Sequence, residues 1–225
     1  MTTDPSEEIF LKDVAGHRMN VIREDGLYRH VRFQTPGSWN MGFDLITWPG
    51  YLCYCGDMGT YVFKRLDDMF QFFRTDREHK KGLGINLSYW SEKLVAVDGG
   101  RFKGCAKEFS EERFERVICE YRLEWIRENR ERLSKAQRRE LWEAVRDEVL
   151  YRLDNGEHEA QQAAHDFSHT VECAGRTVKP TIRFAFNDLW ERDFTDYTYH
   201  FVWCCYALAW GIKQYDDSKI ERIAA

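Results

Sequence analysis

His165-Asp166-Phe167-Ser168-His169 sets two imidazoles four residues apart, and Cys173 follows after four more. If a helix carries them, that spacing puts all three on one face, where a zinc ion takes nitrogen and sulfur ligands. The order differs from the HExxH of zinc proteases: Asp166 occupies the glutamate's position with a side chain one methylene shorter, so it reaches less far toward a metal-bound water. The ligand set is incomplete, and the plainer reading is two histidines near the polar end of a helix. No metal or other cofactor is expected; His165, His169 and Cys173 are the residues that would hold an ion.

A second candidate is the loop Gly56-Asp57-Met58-Gly59. Two glycines let backbone N–H groups come close to a phosphate, but the helix and lysine of a P-loop are missing. A hairpin turn with positive φ accounts for the same glycines and makes Asp57 a turn residue. Around the loop lie Trp39, Trp48, Tyr51, Tyr54 and Tyr61, rings that can stack nucleobases, fill a core or sit in a protein interface. Trp39 follows Thr35-Pro36-Gly37 and Trp48 precedes Pro49-Gly50, and side chains beside turns reach solvent most readily. Trp39, Trp48, Tyr54 and Asp57 are therefore the interface candidates, with capping of the core at strand ends as the alternative for the rings. Arg127, Arg130, Arg132, Lys135, Arg138 and Arg139 form a basic cluster, but Glu124, Glu128, Glu131 and Glu140 are interleaved at pairing distance, which reads as solvated ion pairs.

The elements that must position these residues divide the chain by periodicity. Residues 9 to 65 carry strand signals broken by turns at Glu24-Asp25-Gly26, Thr35-Pro36-Gly37 and Pro49-Gly50. Strands are expected at Leu27–Gln34, Phe43–Trp48, Tyr51–Cys55 and Tyr61–Lys64, forming an antiparallel meander after a frayed tail of six residues. Leu66–Arg74 reads as a short buried helix capped by Asp67 or Asp68, and Lys93–Asp98 as one more strand before a Gly99-Gly100 turn. From Phe109 the period becomes helical. Ser110 caps a helix bearing Phe114, Val117, Ile118, Tyr121 and Trp125, and Ser134 to Gln137 has the form of a capping box for a helix with Leu141, Val145, Val149 and Leu153 on its apolar face. Further helices are expected over about Glu157–Ser168 and Thr195–Gln214, with an irregular Cys173–Pro180 and an aromatic Phe184–Trp190 between them. The expected fold is α+β: an N-terminal antiparallel β-meander packed against a mostly helical C-terminal half, in one domain over residues 1–225 (β-rich 9–98, helical 109–214).

Composition narrows the function. Of 225 residues, 43% are hydrophobic and 32% charged, which excludes a disordered or low-complexity chain. The formal charge of -5 gives no overall attraction to nucleic acid or anionic lipid. The N-terminal MTTDPSEEIF lacks a basic n-region and apolar h-region, and Phe201–Ile212 is too short to span a bilayer, so a cytoplasmic protein with no membrane partner is expected. Seven cysteines are an odd count, and Cys53/Cys55 and Cys204/Cys205 are too close for an ordinary disulfide ladder, so they read as free thiols.

Three stretches, Gly56–Phe63 running into Asp68–Arg74, Tyr89–Leu94, and Phe201–Ile212, resemble uncharacterised proteins encoded by tailed bacteriophages and prophages. The resemblance spans most of the chain and brings no catalytic motif. It implies a context: the bacterial host cytoplasm, and a protein that acts by stoichiometric binding to a host or phage macromolecule, such as an antiviral defence system it antagonises. Aromatic richness with abundant charge suits an interface of Trp and Tyr within a polar rim. The alternatives are a metal-dependent hydrolase using His165 and His169, a nucleotide-processing enzyme using Asp57, and a nucleic-acid-binding module using the basic cluster.

Overall fold

The computed structural model describes residues 5–77, 82–98, 105–173 and 180–224. Strands β1 (Arg18–Asp25), β2 (Tyr28–Gln34), β3 (Phe43–Trp48), β4 (Tyr51–Gly56), β5 (Gly59–Lys64) and β6 (Leu94–Val97) pair in sequence order as one antiparallel sheet. Two-residue connections between β1 and β2, β3 and β4, and β4 and β5 leave no alternative to pairing with the next strand. The remaining elements are α1 (Glu7–Asp13), α2 (Met69–Arg77), α3 (Leu87–Ser91), β7 (Lys107–Phe109), α4 (Glu111–Glu128), α5 (Lys135–Glu148), α6 (Glu157–Asp166), β8 (Ser168–Glu172), β9 (Thr181–Ala185), β10 (Thr195–Tyr197) and α7 (Tyr199–Ala224). The fold is thus α+β, a six-stranded antiparallel sheet followed by a mostly helical C-terminal half.

The chain forms two compact units: residues 1–107 with 197–225, and residues 108–196. The last helix, α7, therefore belongs with the sheet and not with the other C-terminal helices. In the first unit, alternation along β2 to β5 sends Val31, Phe33, Phe43, Leu45, Leu52, Tyr54, Tyr61 and Phe63 to one fully buried face. The rings of Phe33, Phe43 and Tyr54 stack across neighbouring strands, with centroids 4.9 and 5.5 Å apart. Against this face lie Phe201, Trp203, Cys204, Ala207, Leu208 and Ile212 of α7. Gly211 permits the approach: a Cβ there would stand 3.0 Å from Leu45 Cδ1 and 3.1 Å from Phe33 Cε2.

Residues 9–13, at the start of the stretch read as strand, belong instead to α1 (Glu7–Asp13). Ser6 accepts from the Ile9 amide, and Glu7 and Glu8 occupy the first turn, where carboxylates favour helix. Phe10 packs among Trp203, Tyr206 and Trp210, and Trp203 Nε1 donates to Asp13 at 3.0 Å. Asp68 caps α2 through the Phe70 amide, as expected, and presents its carboxylate to Arg29 in two hydrogen bonds. Met69, Phe70, Phe72 and Phe73 are buried.

In the second unit, Ser110 caps α4 and Phe109 lies 5.8 Å from Phe114. Ser134 and Gln137 complete the capping box of α5. The apolar faces of α4 and α5 close with Ala160, Ala164, Phe167, Val171, Phe184 and Phe194 into a second core. Two expected helices begin or end differently: α6 stops at Asp166, after which β8 pairs with β9, and Thr195–Tyr197 is strand, so that α7 starts at Tyr199. The Gly99-Gly100 turn and most of the irregular stretch after Cys173 lie outside the described residues.

Phe73 meets Phe63, Phe72 and Trp90 edge to face and is 2% exposed. Phe73→Ala is expected to lower unfolding free energy by about 3–5 kcal/mol, read from chemical denaturation. A fragment ending at Lys107 lacks α7, bares the apolar sheet face and is expected to aggregate; a cooperative melt from that fragment would contradict the arrangement of this core.

Candidate partner-binding surface

The opposite face of the sheet is built from the alternate residues. Arg32, Asp44, Cys55 and Thr60 form one row across β2 to β5; His30, Ile46, Cys53 and Val62 form the next; Trp48, Tyr51 and Lys64 form a third. Trp48 and Tyr51 stack with centroids 5.2 Å apart, and Lys64 Nζ lies 5.0 Å from the Tyr51 ring. Beside this stack Ile22, Tyr28, Ile46 and Trp48 line a hollow of about 530 Å³, with Arg23 and His30 at its edge. Ile22 is 47% and Tyr28 46% exposed.

Asp44 organises the first row. His30 Nε2 donates to it at 2.9 Å, and Arg32 donates from Nε and Nη2, both at 2.8 Å. The Arg32 guanidinium lies 5.1 Å from the Trp39 ring. Burial acts to raise the Asp44 carboxyl, but hydrogen bonds and charge from Arg32 and His30 outweigh it and hold the pKa below the ordinary carboxylate value. On the neighbouring row burial pushes the Cys53 thiol up to about 11, so it stays protonated at neutral pH and is no activated nucleophile. All seven cysteines are free thiols.

The sequence-derived candidates separate. Trp39 is 43% exposed and flanks this face; Trp48 is half-buried within it. Tyr54 is a correction: it is fully buried, because strand alternation turns it to the inner face between Phe43 and Tyr61, and proximity to a turn does not override that period. Its hydroxyl has no hydrogen-bond partner among the described residues, and burial drives its pKa well up. Asp57 accepts from the Met41 amide at 3.0 Å and steadies the loop where Met41 has φ +56°. Of the two glycines, Gly59 has φ +101°, whereas Gly56 is needed for closeness: a Cβ there would stand 2.7 Å from Phe43 Cβ.

The metal reading rested on His165, His169 and Cys173 sharing a helix face, and that geometry is not formed. α6 ends at Asp166, Phe167 is extended, and His169 lies in β8 opposite Phe184, with Cys173 buried beyond the strand's end. His165 Nδ1 bonds its neighbour Asp166 at 3.0 Å. Within the basic cluster, Arg138 donates to the Arg130 and Leu133 carbonyls at the α4–α5 junction, and Arg139 pairs with Glu143 along α5.

Sequence reasoning missed Trp190, 77% exposed in the second unit beside hollows of about 480 and 250 Å³. Its signal was there in Asn187-Asp188, turn-forming residues that reverse the chain just before it. Comparison with protein-family models, curated proteins and solved structures found no match. No helix among the described residues is long and apolar enough to cross a membrane.

Asp44 ties stability to pH. With its folded pKa below the ordinary value near 4, its contribution is complete above about pH 4 and fades as pH falls through the depressed value. Asp68, whose burial is outweighed by Arg29, acts in the same direction. Asp44→Asn is expected to lower Tm at pH 7 and to narrow the gap to wild type toward about pH 2–3, measured by thermal melts across that range.

Proposed function

We propose that this protein works by stoichiometric binding of a partner protein through the open face of its sheet. The observation that supports this reading is the exposed apolar hollow formed by Ile22, Tyr28, Ile46 and Trp48, seated on the sheet and bordered by Arg23 and His30. Rings held flat on a sheet lose little conformational freedom on binding, and Trp and Tyr within a polar rim are the residues that dominate interface energies. The likeness to tailed-phage and prophage proteins makes a host or phage protein the expected partner, and antagonism of an antiviral defence system the expected consequence.

A pull-down from infected host cells tests this. The wild-type chain is expected to retain a stoichiometric partner that Trp48→Ala and Ile46→Glu each release by tenfold or more with Tm nearly unchanged. Retention of the partner by both folded variants would place its binding elsewhere. Tyr54→Ala is expected to fail differently, by loss of stability of about 3 kcal/mol or more.

A further inference from the structure

Trp190 is the most exposed large apolar side chain among the described residues. The backbone holds it there. After β9, Asp188 takes φ +56° and ψ +31°, a left-handed conformation uncommon outside glycine though tolerated by Asp, and a single 3-10 turn from Leu189 to Glu191 then carries the indole outward. Asp188 stands at the N-cap of that turn, but its side chain makes no capping bond. Its carboxylate is exposed and has no hydrogen bond or ion pair among the described residues.

The two hollows that flank the indole differ in chemistry. The larger is bounded by Trp125, Asp166, Phe167 and Arg183 and shares His165, Phe186 and Asp188 with the smaller. The smaller has an apolar floor of Phe186, Leu189 and Phe194, the amides of Gln161 and Gln162, the imidazoles of His158 and His165, and one carboxylate, Asp188. We propose that this smaller hollow receives an arginine side chain from a protein partner. Its floor suits a methylene stem, Trp190 offers an exposed π face to a planar cation, and Asp188 is a carboxylate awaiting donors. Arginine fits better than lysine because a guanidinium can stack on the indole while its edge donates to the carboxylate. The charge of the unit agrees: residues 108–196 hold 21 acidic against 15 basic side chains, a field that draws cations and repels phosphates. Arg183 borders the larger hollow and not the smaller. The site lies in a different unit from the sheet face and stands or falls independently of it.

The test titrates the full chain with N-acetyl-arginine methylamide while following the indole N–H resonances by NMR. A saturable shift of the Trp190 resonance is expected at millimolar ligand, weakened about tenfold or more by Asp188→Asn, which keeps an αL-tolerant residue and removes the charge. Trp190→Ala assigns the resonance, and thermal melts verify that both variants fold. The neutral citrulline analogue is expected to bind at least about tenfold more weakly. Equal binding of the citrulline analogue, or indifference to Asp188→Asn in the folded protein, would overturn the proposal. So would a Trp190 shift produced by adenosine monophosphate and not by the arginine probe, which would assign the cleft to an anionic heteroaromatic ligand.

Discussion

α7 is the constraint on which the first unit depends. From Phe201 to Ile212 it is apolar on nearly every side, so no orientation lets it face water along one stripe as an amphipathic helix would. It must be enclosed. The sheet supplies one wall through Phe33, Phe43, Leu45 and Tyr54, while α1 and α2 pack against it elsewhere. Gly211 sets how closely helix and sheet approach, and Phe10 of α1 fills the gap among Trp203, Tyr206 and Trp210. Since α7 lies about a hundred residues downstream of β6, this core closes late in sequence and couples the ends of the chain.

The polar periphery of that core is arranged by the same helix. Tyr215 donates to Glu24 and Lys219 pairs with it; Asp216 receives two donors from Arg74, while Arg29 bridges Asp68 and the rings of Phe70 and Tyr215. Burial, together with the bond to Glu24, raises the Tyr215 phenol to about 12, so it remains a donor through neutral pH. These bonds join β1, β2, α2 and α7 at one end of the sheet. With the inner face committed in this way, the outer face has to satisfy its own polar groups, and Asp44 does so by drawing in His30 and Arg32. Asp44 thereby holds His30 and Arg32 beside the row that carries Ile46, Cys53 and Val62.

Much of this was legible in the residues themselves. The strands around Phe43–Trp48 and Tyr51–Gly56, the Asp68 cap, the Ser110 cap and the Ser134–Gln137 box are local signals, and local signals survive folding when nothing tertiary opposes them. The errors have physical causes. Ser6-Glu7-Glu8 announces a helix as clearly as Ser110 does, but the run that follows is only seven residues and offers too little periodicity to stand out. The helix carrying His165 reads as running to about Ser168 because the alternation of Ser168 to Glu172 is too short to separate strand from helix without the partner strand Thr181–Ala185. Nearness to a turn suggests exposure for Tyr54, but the period of two sends it inward with Leu52. For Trp190 the residues Asn187-Asp188 signal a turn, but which way that turn sends the ring depends on the left-handed backbone at Asp188, which the residue pattern alone does not fix.

The two aromatic surfaces differ in how they are held. Trp48 is fixed by a stack on Tyr51 and by the strand that bears it, so its exposure follows from the fold. Trp190 owes its exposure to a left-handed residue and a three-residue turn, and no ring among the described residues packs on the indole. Strain of order 1 kcal/mol or more, combined with a large apolar side chain left in water, is a combination that folding alone works against. An indole turned inward over the adjacent hollows would recover part of that hydrophobic free energy. That Asp188 instead directs it outward, beside a carboxylate used by no cap or ion pair, is the pattern of a group whose counterpart is another molecule.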